Sequence, residues 1–165
     1  MTMRLTGLTA ALLLALAACS PVKSEAAKSA AVSLADAPRH GESGLPVVPL
    51  TITRDKIVHA FKVEVASAGA EQEKGLMFRT AMGADEGMIF PMNPPRQASF
   101  WMKNTVIPLD LVFIGPDHRV LNIAANTEPY SLTPIYSAGP VIAVLELIGG
   151  RAEQLGIGRG DLVAW

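Results

Sequence analysis

Beyond Leu50, apolar residues recur mainly at every second position. Phe61, Val63 and Val65 alternate with Lys62 and Glu64, the signature of a half-buried strand, because neighbouring side chains of an extended chain point to opposite sides. Leu50-Thr51-Ile52-Thr53, followed by Arg54-Asp55, predicts a preceding strand and turn. Short apolar stretches at Gly87–Met92, Ala98–Met102, Leu109–Ile114, Val120–Ala125 and Val141–Ile148 predict further strands. Pro94-Pro95, Pro108, Gly115-Pro116-Asp117, Gly139-Pro140 and Gly149-Gly150 punctuate them. Glu71–Met82 breaks the alternation and is rich in helix formers, so it predicts a short helix weakened by Gly75. Arg151–Leu155 allows one or two helical turns before Gly158-Arg159-Gly160-Asp161 leads into a last short strand ending at Trp165. The pattern argues for a mostly β (β-rich α+β) fold: a compact, barrel-like, largely antiparallel domain over residues 47–165, with one or two short helices.

The first 46 residues follow a different rule. Met1–Ala18 contains no acid and one basic residue, Arg4, ahead of an Ala/Leu run from Leu8 to Ala18. That run is shorter than the roughly 20 residues a membrane-spanning helix needs, so residues 1–18 read as an export signal. Leu16-Ala17-Ala18-Cys19 resembles the lipobox of bacterial lipoproteins. The resemblance implies cleavage before Cys19, a diacylglycerol on its sulfur and an acyl group on its new amino terminus. Ser20 after the Cys, rather than Asp, resembles lipoproteins sorted to the outer membrane, where the domain would face the periplasm. The alternative is an ordinary signal cut after Ala15-Leu16-Ala17, which would release a soluble periplasmic or secreted protein. Residues 20–46, rich in Ala, Ser, Lys, Glu, Gly and Pro without apolar periodicity, are expected to form a disordered tether that places the domain a few nanometres from a bilayer.

Charge and cysteine content narrow the chemistry. Lys and Arg number 14 against 15 Asp and Glu, and loss of Arg4 with the signal brings the net charge to about −2, which gives no reason to expect a nucleic-acid partner. Cys19 is the single cysteine. Once it carries lipid, no disulfide, thiol nucleophile or thiolate metal site is left.

Five motifs carry a specific resemblance. "EQEKGLMFR" (Glu71–Arg79), "DEGMIFPM" (Asp85–Met92), "FWMKNTVIPLDLVFIG" (Phe100–Gly115), "VLELIGG" (Val144–Gly150) and "LGIGRGDLV" (Leu155–Val163) occur in the order and spacing of the DUF192 family, also called UPF0127. The resemblance covers essentially the whole folded domain. It implies a small β-rich barrel-like fold and no established activity, and it brings no cofactor.

Within these motifs, two acids interrupt apolar strands. Asp110 shares a strand face with Val112 and Ile114, and Glu146 shares one with Ile142, Val144 and Ile148. A carboxylate in such a place needs a partner, because burying it unpaired costs several kcal/mol. Arg79 and Lys103 are the cations within the motifs, and Asn104-Thr105 predicts a turn beside Lys103. Arg79, Lys103, Asn104, Asp110 and Glu146 are therefore expected to converge at one end of the barrel. One reading of that cluster is structural, with the acids holding a turn and a helix end through ion pairs. The other is a polar pocket, walled by Trp101, for a small polar or glycan ligand. A third reading uses Asp110 and Glu146 as the acid and base of an envelope glycan hydrolase. Met77, Met82, Met88, Met92 and Met102 offer soft thioethers for Cu(I), set against the ordinary use of Met as core filler. His40, His59 and His118 show no zinc spacing, and neither a phosphate loop nor a G-x-S-x-G elbow occurs.

Overall fold

The computed structural model describes residues 33–165. The signal, the lipobox at Cys19 and the first part of the expected tether lie outside the described residues. Seven strands form one sheet: β1 (Val47–Arg54), β2 (Ile57–Val65), β3 (Glu86–Phe100), β4 (Leu109–Ile114), β5 (Val120–Ala124), β6 (Ile135–Ile148) and β7 (Leu162–Ala164). Among the described residues two short helices, α1 (Gly69–Lys74) and α2 (Arg151–Leu155), accompany it. The spatial order is β5-β4-β6-β3-β2-β1-β7. Only β2 and β3 run parallel, and every other neighbouring pair is antiparallel.

The sheet curls into a half-barrel whose edges meet. Arg119 bridges Leu162, and the amides of Val120, Gly160 and Val163 donate to the carbonyls of Asp161, Val120 and His118 at 2.8–2.9 Å. At β4 both faces of the sheet are buried, and that strand has no exposed residue. The concave face holds Leu50, Ile52, Val63, Ile89, Val112, Ile114, Leu145 and Leu147. The convex face holds Met88, Phe90, Met102, Leu111, Phe113 and Val144, roofed by Leu76 after α1.

Three expectations change. The strands expected at Gly87–Met92 and Ala98–Met102 are one strand, β3, with register shifts against β6 around Pro94-Pro95. Proline cannot donate to the ladder, so pairing lapses there and resumes on the far side. The helix expected to reach Met82 stops at Lys74. Gly75 adopts φ 47° and donates its amide to Glu71 O at 2.8 Å. A Cβ at Gly75 would lie 3.3 Å from the Phe90 ring, so Gly75 ends the helix and lets the chain turn down onto the core.

The packed domain also begins earlier than the expected boundary at residue 47. Residues 33–46 form a strap in which Ala37 and Leu45 are buried against the two apolar clusters. Arg39 bridges Pro46. Two small burials do not generate a periodicity, and a buried ion pair, described below, completes the attachment.

Candidate functional site

Asp110 projects from β4 into the concave core, in register with Leu147 of β6, and is fully buried. Its Oδ1 accepts from the amides of Asn126 at 2.7 Å and Gly150 at 2.9 Å, and its Oδ2 from the amide of Ala152 at 2.7 Å. Gly150 and Ala152 are the N-cap and second residue of α2, so a side chain from a neighbouring strand takes the orphan donors of the helix start. Gly150 sits at φ 82°, a conformation that suits glycine and aims these amides at one carboxyl group. Asp110 is saturated by backbone and pairs with neither Arg79 nor Lys103, which corrects the expected ion pair.

Arg79 is engaged elsewhere. Its guanidinium forks onto Glu64 of β2, Nη1 to Oε1 at 2.9 Å and Nη2 to Oε2 at 3.2 Å, with Nε 3.2 Å from Glu42. Arg79 and Glu64 are both buried. Ser43 Oγ also donates to Glu64 Oε2, and His40 Nδ1 lies 3.6 Å from it. Burial disfavours the Arg79 cation, but the hydrogen bonds and charge of Glu64 outweigh this and hold its pKa above the ordinary value. This cluster fastens the 33–46 strap to the sheet. A small cavity of about 210 Å³ lies beside it, lined by Glu42, Leu45, Lys74 and Met77 among others.

Glu146 differs from both. It lies on β6 in register with Met88 of β3 and Leu111 of β4, two fully buried members of the convex cluster. Asp110 faces the opposite side, so the sheet itself separates the two acids. The expected convergence of five polar residues does not occur. Glu146 is 5% exposed, and its Oε2 is the orphan among the described buried side-chain polar atoms, with no hydrogen-bond partner. Burial raises its pKa to about 8, so it keeps its proton at neutral pH.

Glu146 is among the residues that line a cavity of about 340 Å³, a size that holds small organic ligands. Phe90, Met92 and Phe100 give it apolar walls. Phe90 and Phe100 meet edge to face at 5.2 Å, which fixes the wall geometry. Half-exposed Trp101 stands at the mouth with Lys103 Nζ 5.1 Å from its ring centroid, a cation–π contact. Asn104 takes φ 56° in the adjoining turn; its carbonyl accepts from Phe78 N at 2.8 Å and its Nδ2 lies 3.8 Å from Met77 Sδ. Of the expected site residues, the fold thus brings Glu146, Trp101 and Lys103 to one cavity, with Asn104 against its Met77 rim.

Sequence reasoning missed Lys74, Arg96 and Gln97 in this lining. Gly75, read as the end of α1, would have placed Lys74. Pro94-Pro95, read as a register break inside one strand, would have turned attention to Arg96 and Gln97. The methionines divide: Met88 and Met102 are buried filler, with Met102 Sδ accepting from Thr127 Oγ1 at 3.1 Å, while Met77 and Met92 line the cavity. Among the described residues no three His, Cys, Asp or Glu side chains gather as a metal set.

The family model DUF192, described as an uncharacterized ACR, matches residues 50–165. A crystal structure of a protein of unknown function from Novosphingobium aromaticivorans DSM 12444 is similar, with a TM-score of 0.76 and 57% identity over 78% of this chain and 91% of that one. Another, from Sinorhizobium meliloti 1021, gives a TM-score of 0.71 and 36% identity over 73% of this chain and 94% of that one. That protein is provisionally named a transcription regulator, a name that describes it alone. No curated protein matches the chain.

Proposed function

The chain therefore belongs to the DUF192 family, and from that premise we propose that its domain is a ligand-binding module whose site is the Glu146 cavity. The observation that carries this reading is a cavity of small-molecule size whose lining includes a buried glutamate with an unpartnered carboxyl oxygen. A fold leaves such a group unsatisfied only at a cost of about 1–3 kcal/mol, and a ligand that hydrogen-bonds to it removes the penalty. Trp101 and the polar rim suit a small polar molecule or glycan fragment. Glycoside hydrolysis by an Asp110–Glu146 pair finds no support, since the two groups lie on opposite faces and Asp110 already holds three amides.

The test is a nuclear magnetic resonance titration of the labelled protein with cell-wall saccharides. Shifts are expected at Glu146, Trp101 and Lys103, and are expected to vanish in Glu146→Met without loss of folding. Shifts confined to other surfaces would sink the cavity as the site.

The N-terminal motif supports a second part of the proposal: Cys19 carries lipid and holds the domain at the envelope, facing the periplasm from the outer membrane. Cys19→Ala is expected to abolish fatty-acid labelling and membrane pelleting. Unchanged labelling would remove the anchor.

A further inference from the structure

Resting on the ligand-binding reading, the composition of the cavity mouth narrows the class of ligand. Lys74, Arg96 and Lys103 line the cavity, and besides Glu146 its lining holds a single acid, Glu73. They come from three elements: the last residue of α1, the part of β3 beyond its register break, and the loop after β3. Among the described residues none of the three takes part in an ion pair, whereas Arg54, Arg79 and Arg151 each do. Lys103 is held over Trp101, so one cation is placed before any ligand arrives. Further in, the walls are Phe90, Met92 and Phe100, and the buried Glu146, which has an unpartnered carboxyl oxygen, completes the lining.

Each simpler ligand leaves part of this lining unused. A neutral polyol does not engage the three cations. A cation is repelled by them. A plain fatty acid leaves the Glu146 oxygen without a partner. We infer that the cavity takes a small organic anion whose carboxylate or phosphate sits among Lys74, Arg96 and Lys103, whose apolar stem lies along Phe90 and Met92, and whose uncharged hydroxyl or amide reaches Glu146. The charged groups around the cavity are Glu73 and Lys74 from α1, Arg96 from β3 and Lys103 from the loop, while β4 presents apolar Leu111 to Glu146. Glu146 retains its proton in that setting and can both accept from and donate to a neutral polar tip.

Calorimetric titration of the protein near neutral pH with ω-hydroxyhexanoate, hexanoate, hexanediol and ω-aminohexanoate tests the class. The hydroxy acid is expected to bind roughly tenfold tighter than either hexanoate or the diol, and added salt should erode its advantage over the diol. Arg96→Gln and Lys103→Gln should each shrink that advantage, and Glu146→Met should remove the preference over hexanoate. If the diol binds as tightly as the hydroxy acid, the mouth does not read charge and the inference falls, while the cavity remains a binding site. Tightest binding by the amino acid would likewise overturn the neutral tip and leave the site standing. Failure of all four probes overturns the inference, and the ligand-binding reading is then decided by the saccharide titration alone.

Discussion

Asp110 and Glu146 occupy strands that pair directly, β4 and β6, and both are buried. One has three backbone amides within 2.9 Å and the other has an oxygen with no hydrogen-bond partner among the described residues. Burial of an acid therefore does not by itself mark a site. What separates scaffold from candidate chemistry here is whether the surrounding backbone has already used the group. Asp110 ties two loops and a helix start together. Glu146 is left with an unpartnered oxygen beside a cavity.

Removing Asp110 should give the largest loss of stability at fixed pH. Asp110→Ala strands one buried and two partly buried amides, the buried one at about 1–3 kcal/mol and the others at less, for a loss on the order of 3 kcal/mol in urea melts. Asp110→Asn keeps one acceptor oxygen and should lose less, and neither change should alter ligand binding wherever the protein stays folded. A small loss for Asp110→Ala would erase the contrast.

Proton linkage addresses the other acid. Glu146 titrates near the ordinary 4.5 when unfolded and at about 8 when folded, so the folded state binds this proton more tightly. Its contribution to stability is full below about pH 4.5 and declines as pH rises through 8, by on the order of 4 kcal/mol between pH 5 and 9. Melts of wild type against Glu146→Gln across that window should show the difference, and parallel curves would show that the carboxyl group is hydrated.

Glu146→Met replaces an unpaired buried acid with an apolar side chain of similar size and should stabilise the protein at neutral pH by about 1–4 kcal/mol. Destabilisation would mean that Glu146 has a partner in solution. Trp101→Ala and Lys103→Gln, both at the exposed mouth, should change stability by less than about 1 kcal/mol while weakening ligand binding, which melts and titrations on the same samples would separate.

The alternation around Phe61–Val65 and the apolar run Leu109–Ile114 made the sheet legible, because strand periodicity is local. The sequence also exposed the two anomalous acids. It did not reveal that they point to opposite faces, since each lay within a run buried on both sides and the relative register of β4 and β6 is a long-range property. The partner of Arg79 eludes the sequence for a similar reason: Glu64 reads as the polar face of an alternating strand, and it is buried beneath Arg79 and the strap residues Ser43 and His40. The strap carries too few apolar residues to announce itself, and the mouth cations Lys74 and Arg96 depend on where a glycine stops α1 and two prolines interrupt β3.

The meeting of the sheet's edges has a kinetic consequence. Thr51 of β1 pairs with Ala164 of β7, and β2 and β3 run parallel across an intervening helix. Closure must therefore wait for partners more than a hundred residues apart to find one another. Chains dominated by such distant pairings fold in milliseconds to seconds, far more slowly than helical bundles. During that interval β1 has one side unsatisfied, and its Leu50 and Ile52 are available to wrong partners. A molecule built this way is most vulnerable to self-association while it is being made, and least so once the last strand has docked.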